Sequence, residues 1–259
     1  MQPFSTELFN APRRDFLQRS AALVTLGAGA SLPFGVTGCA SSPAVSTTST
    51  APREAMGFRL NGVNLATATY KGREALSVEL TAEAQKALLS GSGVGNGPTY
   101  AISPIEFANG VIEVDLAARI NGRGAPDVRG FVGIAFHIDG SNETFEAVYL
   151  RMTNGSKNVP PPPPPRNVYA VQYISFPDRY WRKLRQEFPN KYEKAAPVAI
   201  ESWHTLRLDI QGDTLRATVD GQNVLTVDDL RFPGRRGHVG LWVDDGTTGY
   251  FSNLRIRAA

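Results

Sequence analysis

From about residue 58 onward the chain alternates apolar and polar positions. The stretch Ala75-Leu76-Ser77-Val78-Glu79-Leu80 puts Leu76, Val78 and Leu80 on one side, a period of two that predicts a half-buried strand. The rhythm returns over 110–120, where Ile112, Val114, Leu116 and Ala118 share a face opposite Glu113, Asp115 and Arg119. It continues through 131–138 (Val132, Ile134, Phe136, Ile138) and 144–152 (Val148, Leu150), and the turn-rich Asp139-Gly140-Ser141-Asn142 between them predicts a hairpin. In the last third, Leu206, Leu208 and Ile210, then Leu215, Ala217 and Val219, repeat the pattern on either side of Gly212-Asp213; segments 224–227, 239–243 and 250–257 complete it. Many short strands with tight turns and almost no helix predict an all-β fold, an antiparallel two-sheet jelly-roll sandwich with one or two short helices. No fixed-period repeat is present, which sets propellers and solenoids aside.

Two short helices are expected. One spans 82–89, with Thr81 as its cap and Ser90-Gly91-Ser92-Gly93 as its stop. The other falls within 177–193, where Asp178 is the candidate cap, Trp181, Leu184 and Phe188 have helical spacing, and Pro189 ends it. The run Pro160 to Pro165 predicts a polyproline II rod of about 19 Å at roughly 3.1 Å per residue, jutting from a loop. It is either a dock for a partner's aromatic groove or a loop insertion.

The first 38 residues have a different character. Arg13 and Arg14, followed by Asp15-Phe16-Leu17, precede an uncharged run over 21–36 that ends in Val36-Thr37-Gly38-Cys39. That layout is a signal peptide. The paired arginines resemble the twin-arginine export motif, although Pro12 and Gln18 depart from it, and a general secretory signal is the alternative. Val36 to Cys39 resembles a lipobox, in which Cys39 would carry the lipid after cleavage; cleavage elsewhere would leave a spare thiol. As the only cysteine, Cys39 has no internal disulfide partner, which suits an anchor. Segment 39–53, rich in Ser, Thr, Ala and Pro, reads as a tether, and 54–259 as the folded domain. The expected address is therefore exported and lipid-anchored in the cell envelope, on the periplasmic side or at the outer membrane.

Charge narrows the partners. The formal net charge is +3, but removing the three basic and two acidic residues of the signal leaves 24 basic against 22 acidic. A near-neutral mature chain without a concentrated basic face excludes a nucleic-acid partner on this reading. Beyond the signal, no stretch approaches the roughly 20 apolar residues of a membrane span.

Sugar sites combine flat aromatic faces with planar donors and acceptors. Between 149 and 193 the chain concentrates such groups: Tyr149, Arg151, Asn154, Arg166, Asn167, Gln172, Tyr173, Trp181, Arg185, Tyr192 and Glu193. Period two places Tyr149 and Arg151 on the outer face, away from Val148 and Leu150, and allows only one of Gln172 and Tyr173 to join them. Asn167 is not placed by periodicity. His137 falls on the same outer face by the same count.

The run from Phe131 to Phe136, Phe145 to Arg151 with Thr153-Asn154-Gly155, Gln172-Tyr173, Trp181 with Leu184-Arg185, Tyr192-Glu193, Trp203 and the closing Tyr250 to Ile256 is similar to bacterial laminin-G-like proteins of the concanavalin A-like lectin and glucanase superfamily. It also resembles the 3-keto-disaccharide hydrolase-like domain. The resemblance covers roughly residues 55 to 259 and implies the jelly roll, a carbohydrate or glycoconjugate partner, and export. It does not choose among lectin, hydrolase and lyase, because one fold hosts all three.

Three functions stay open: a carbohydrate-binding module; a glycoside hydrolase-like enzyme with Glu146, Glu193 or His137 as proton carriers; and an envelope scaffold that binds a protein. The retaining-glucanase pattern Glu-x-Asp-x-x-Glu is broken here, since Glu113-Val114-Asp115 is followed by Ala118 where the acid should stand. No cofactor is expected. Calcium is an alternative at Asp139, Asn142 and Glu143, or at Asp244 and Asp245.

Overall fold

A computed structural model describes residues 57–93 and 95–259. The expected signal and tether, with Arg13, Arg14 and Cys39, lie outside the described residues. In chain order the strands are β1 (Arg59–Asn61), β2 (Val63–Tyr70), β3 (Arg73–Leu80), β4 (Tyr100–Phe107), β5 (Gly110–Ile120), β6 (Phe131–Ile138), β7 (Phe145–Arg151), β8 (Val171–Phe176), β9 (Glu193–Lys194), β10 (His204–Gln211), β11 (Thr214–Val219), β12 (Gln222–Val227), β13 (Gly237–Val243) and β14 (Thr247–Ala258). Helix α1 (Ala82–Ser90) follows β3 and α2 (Trp181–Glu187) follows β8.

The strands form two seven-stranded antiparallel sheets. The first runs β1-β4-β13-β6-β7-β8-β9 and the second β12-β11-β10-β5-β14-β3-β2. Between them lies the core that the alternation anticipates: Ile112, Val114, Leu116 and Ala118 of β5 and Val132 and Ile134 of β6 are fully buried, as are Val148 and Leu150 of β7. Placing those side chains inside forces Tyr149 and Arg151 out onto the opposite face of the first sheet.

Helix α1 forms as expected. Thr81 Oγ1 accepts from Ala84 N at 3.1 Å, and Gly91 closes the helix at φ 75°, a left-handed conformation that glycine adopts without strain. Helix α2 also forms and stops before Pro189, but Tyr180 opens it and no side chain caps it. Asp178 is turned instead towards Arg231, 3.6 Å away. The proline segment is not a straight rod: Arg166 N donates to Pro163 O and Val168 N to Pro165 O, so its end bends into a short 3-10 turn at Arg166–Val168. Among the described residues no helix is long and apolar enough to cross a membrane.

One irregularity overturns an expectation. Where β6 pairs with β13, His238 faces Ile138 but Gly240 faces Ala135, so Phe136 and His137 together oppose Val239. This bulge gives His137 a φ of 51° and turns it inwards, off the outer face that simple counting assigns it. There Nε2 lies 2.8 Å from Ala108 O and Nδ1 2.7 Å from Glu146 Oε2. A carbonyl only accepts, so Nε2 donates to Ala108 O, and Nδ1 is held against the carboxylate. Glu146 Oε1 accepts from Tyr173 OH at 2.5 Å and from Arg231 N at 2.8 Å. Glu146 is three residues from Tyr149 and so has the opposite parity; both Glu146 and His137 are fully buried between the sheets. They are ties within the sandwich and not proton carriers at a surface site.

Glu146→Ala strands three donors against a cavity and is expected to cost about 3–5 kcal/mol of stability, the range for breaking a buried charged pair. Urea denaturation measures this; a loss under about 1 kcal/mol would show that the network contributes little beyond an ordinary hydrogen bond.

Candidate functional site

Strands β13, β6 and β7 lie side by side, and their registers set Trp242, Gly133 and Tyr149 in one row. A Cβ on residue 133 would stand 2.5 Å from Tyr149 Cα. Only glycine lets the Trp242 and Tyr149 rings close over this position, with centroids 4.7 Å apart. The buried indole is satisfied, since Trp242 Nε1 donates to Gly97 O at 3.0 Å. These two rings form a rigid floor.

One wall grows from the same sheet. Arg151 Nη2 donates to the Tyr149 hydroxyl at 3.0 Å and to Gln172 Oε1 at 3.2 Å. In the ladder Gln172 stands opposite Tyr149, and Glu193 opposite Gln172, so all share the outer face and Tyr173 takes the inner one. Glu193, 3% exposed, receives Arg185 of α2 through two bonds of 2.6 Å. Arg185 in turn lies 4.0 Å from the Tyr169 ring centre and 4.8 Å from that of Trp181. The ion pair therefore pins α2 over the edge of the sheet and sets both rings around one guanidinium.

The other wall comes from loops. Asn96 is buried in a left-handed conformation, φ 65°, which asparagine tolerates better than most residues. Its backbone N–H donates to Asp244 Oδ2 at 2.9 Å, its Nδ2 donates to Tyr149 OH at 3.3 Å, and its Oδ1 accepts from Trp181 N at 3.4 Å. One side chain thus ties the floor, the β13–β14 turn and α2 together. Asp245 Oδ1 accepts from Gln85 Nε2 of α1 at 2.7 Å. Burial pushes the Asp244 carboxyl up to about 6, although the N–H groups of Asn96 and Asp245 pull it back. Burial likewise pushes the Tyr149 hydroxyl up to about 12.

Together these walls enclose a cavity of about 410 Å³. Tyr149, Arg151, Asn154, Trp181, Arg185 and Arg166, all in the aromatic and polar set of 149–193, line it, joined by Asn96, Arg129, Phe131, Tyr169, Asp244 and Asp245, for which no sequence pattern predicts a sugar groove. Gln172 and Glu193 stand behind the lining and hold its arginines. Asn167 and Tyr192 are not in it: Tyr192 turns to Asp229 Oδ2, 2.5 Å away, and packs on Tyr173. Loop partners far apart in sequence carry no periodic signal; the only trace was the Asp244-Asp245-Gly246 turn. Of the turns considered for calcium, Asp139 spends its oxygens on Glu143 N, Ser141 Oγ and Thr144 Oγ1 at 2.8–3.1 Å. Among the described residues no three His, Cys, Asp or Glu side chains come together as a metal-ion set.

Two antiparallel sheets of seven strands, with a polar, aromatic-lined groove on one outer face, make a jelly-roll sandwich. The chain belongs to the 3-keto-alpha-glucoside-1,2-lyase-like domain family, whose sequence model matches residues 60–257. No curated protein matches it. Among solved structures it is similar to the carbohydrate-binding module CBM66 from Bacillus subtilis, at 14% identity and TM-score 0.47 over 76% of this chain and 95% of that one. A Bacillus subtilis protein with a galectin-like fold is 11% identical, TM-score 0.43, over 76% and 87%. The galectin LEC-6 of Caenorhabditis elegans is 13% identical, TM-score 0.35, over 60% and 91%.

Asp244 links the groove to pH. Its carboxyl is raised in the folded chain from an ordinary 3.8 to about 6, so the folded state is favoured at low pH and loses that advantage as pH rises from 3.8 through about 6. Two units correspond to about 3 kcal/mol. Part of this is already lost at pH 4, so between about pH 4 and pH 7 the stability of Asp244→Asn should gain on the wild type by about 2 kcal/mol. Chemical denaturation at both values checks it, and a difference independent of pH would refute the assignment.

Proposed function

We propose that the groove binds a saccharide. The observation that carries this reading is the convergence of Phe131, Tyr149, Tyr169 and Trp181 with Arg151, Arg166, Asn154 and Asp244 around one cavity of about 410 Å³. That size falls within the roughly 300–1,000 Å³ of small-ligand pockets. Aromatic faces take the C–H side of a pyranose, while guanidinium, amide and carboxylate groups meet its hydroxyls. Membership of a family described by an activity on a 3-keto-glucoside supports the same ligand class. Trp181→Ala should weaken binding at least about tenfold, the scale of losing a buried aromatic anchor. Affinity electrophoresis and glycan arrays read this out, and failure of the intact chain to bind any plant, algal or envelope glycan at millimolar concentration would end the proposal.

A second reading has its own observation. Asp244, with its carboxyl near 6, is suited to carrying a proton at neutral pH in a way that the engaged Glu193 and the interior Glu146 and His137 are not. The family description names a 1,2-lyase acting on a 3-keto-α-glucoside. In that chemistry the ketone acidifies C2–H, Asp244 takes the proton, the C1–C2 double bond forms, and the C1–O bond breaks with the leaving oxygen taking up a proton. Incubating the chain with a 3-keto-glucoside and following release of the aglycone tests it: release abolished by Asp244→Asn supports the enzyme, and none from the wild type leaves the groove a binding site.

The proposed address is the cell envelope, with Cys39 as lipid anchor after export. Arg13 and Arg14 and the Val36 to Cys39 string support it. Palmitate labelling in a bacterial host should be lost in Cys39→Ser; equal labelling of both would refute the anchor.

A further inference from the structure

The charged groups of the groove are unevenly engaged. Asp244 and Asp245 turn their oxygens to the N–H groups of Asn96, Asp245 and Ala125 and to the Gln85 amide. Among the described residues neither pairs with an arginine. Glu193 is held at 2.6 Å by Arg185, while Arg151 reaches the same carboxylate only at 3.5 Å, so one negative charge serves two guanidinium groups. Arg129 pairs with Asp127, but that carboxylate is 80% exposed and water screens the pair. Arg166 donates Nε to Asn154 Oδ1 at 3.0 Å and Nη2 to Thr153 Oγ1 at 2.9 Å, both neutral, and among the described residues no carboxylate meets it. The crowding is felt at Arg129, whose guanidinium is held below its ordinary range by burial and then by Arg166 and Arg151.

We propose that the saccharide taken by this groove carries an oxyanion, a uronate carboxylate or a sulfate ester, and that Arg166, with Arg151 beside it, receives that group. The proposal deepens the saccharide reading and rests on it. A planar guanidinium with an unspent edge matches the two oxygens of a carboxylate or sulfate, and such charge-assisted pairs are about twice as strong as neutral ones. Asn154 and Thr153, by gripping Arg166 on its other donors, fix the direction in which that edge faces. The bound anion would supply the negative charge that Glu193 alone does not.

The test is calorimetric titration of the full chain with matched pairs of probes: oligogalacturonate against its carboxyl-reduced form, and a sulfated galactan oligomer against its desulfated form. At least one acidic probe should bind about tenfold tighter than its neutral match, the gap should narrow at high salt, and Arg166→Gln should close it. Arg166→Lys, which keeps the charge, should retain part of the gap, and the melting temperature of each variant reports whether it folds. Arg257→Gln on the far sheet lowers the net charge equally and should leave the gap unchanged. Equal or tighter binding of the neutral forms overturns the inference and leaves the saccharide reading standing. Binding of neither member of either pair, while some other neutral glycan binds, overturns it as well; binding of no glycan removes both.

Discussion

The hydroxyl of Tyr149 is where the floor of the groove meets both of its walls. It accepts from Arg151 on the sheet side and from Asn96 on the loop side. Its ring lies against Trp242 over Gly133 and cannot move without opening a void under the sheet. The position of Arg151 then follows from Tyr149 and Gln172, and that of α2 from Arg185 and Glu193. Asn96 fixes the β13–β14 turn through Asp244. A groove assembled from segments as distant as residues 96 and 244 is thus referenced to one buried phenol. Rigid elements supply the aromatic floor, and short connections supply most of the polar groups, a division that keeps recognition adaptable on a fixed base.

Much of this was legible in the sequence where a period of two applied. Strands 110–120 and 131–138 occur with the expected bounds, and the parity that buries Val148 and Leu150 places Tyr149 and Arg151 outside. The same rule, applied strictly, would have excluded Glu146. His137 escaped it for a different reason: a β-bulge inserts one residue into the count, and nothing in Phe136-His137-Ile138 announces it. Parity leaves Gln172 and Tyr173 as alternatives for the face of Arg151, and the ladder, which sets Gln172 opposite Tyr149, makes the choice. Asn96 and Arg129 were out of reach and Asp244 stood out only as part of an acidic turn, because their proximity depends on how loops cross the end of the sandwich, and no local pattern encodes that.

The two buried carboxylates show how environment decides the use of one functional group. Glu146 lies between the sheets with an imidazole, a phenol and a backbone N–H all directed at it, so both of its oxygens are engaged. Asp244 is as deeply buried but meets only amide donors, and desolvation without a cationic partner lifts its carboxyl to about 6. The first arrangement lowers the cost of a charge in the core; the second leaves a carboxylate at a cavity wall, still able to exchange a proton or to accept from a hydroxyl. Substitution at Glu146 therefore disturbs the sandwich, whereas substitution at Asp244 disturbs the groove. The difference lies in the partners that each backbone position recruits, since the side chains differ only by a methylene.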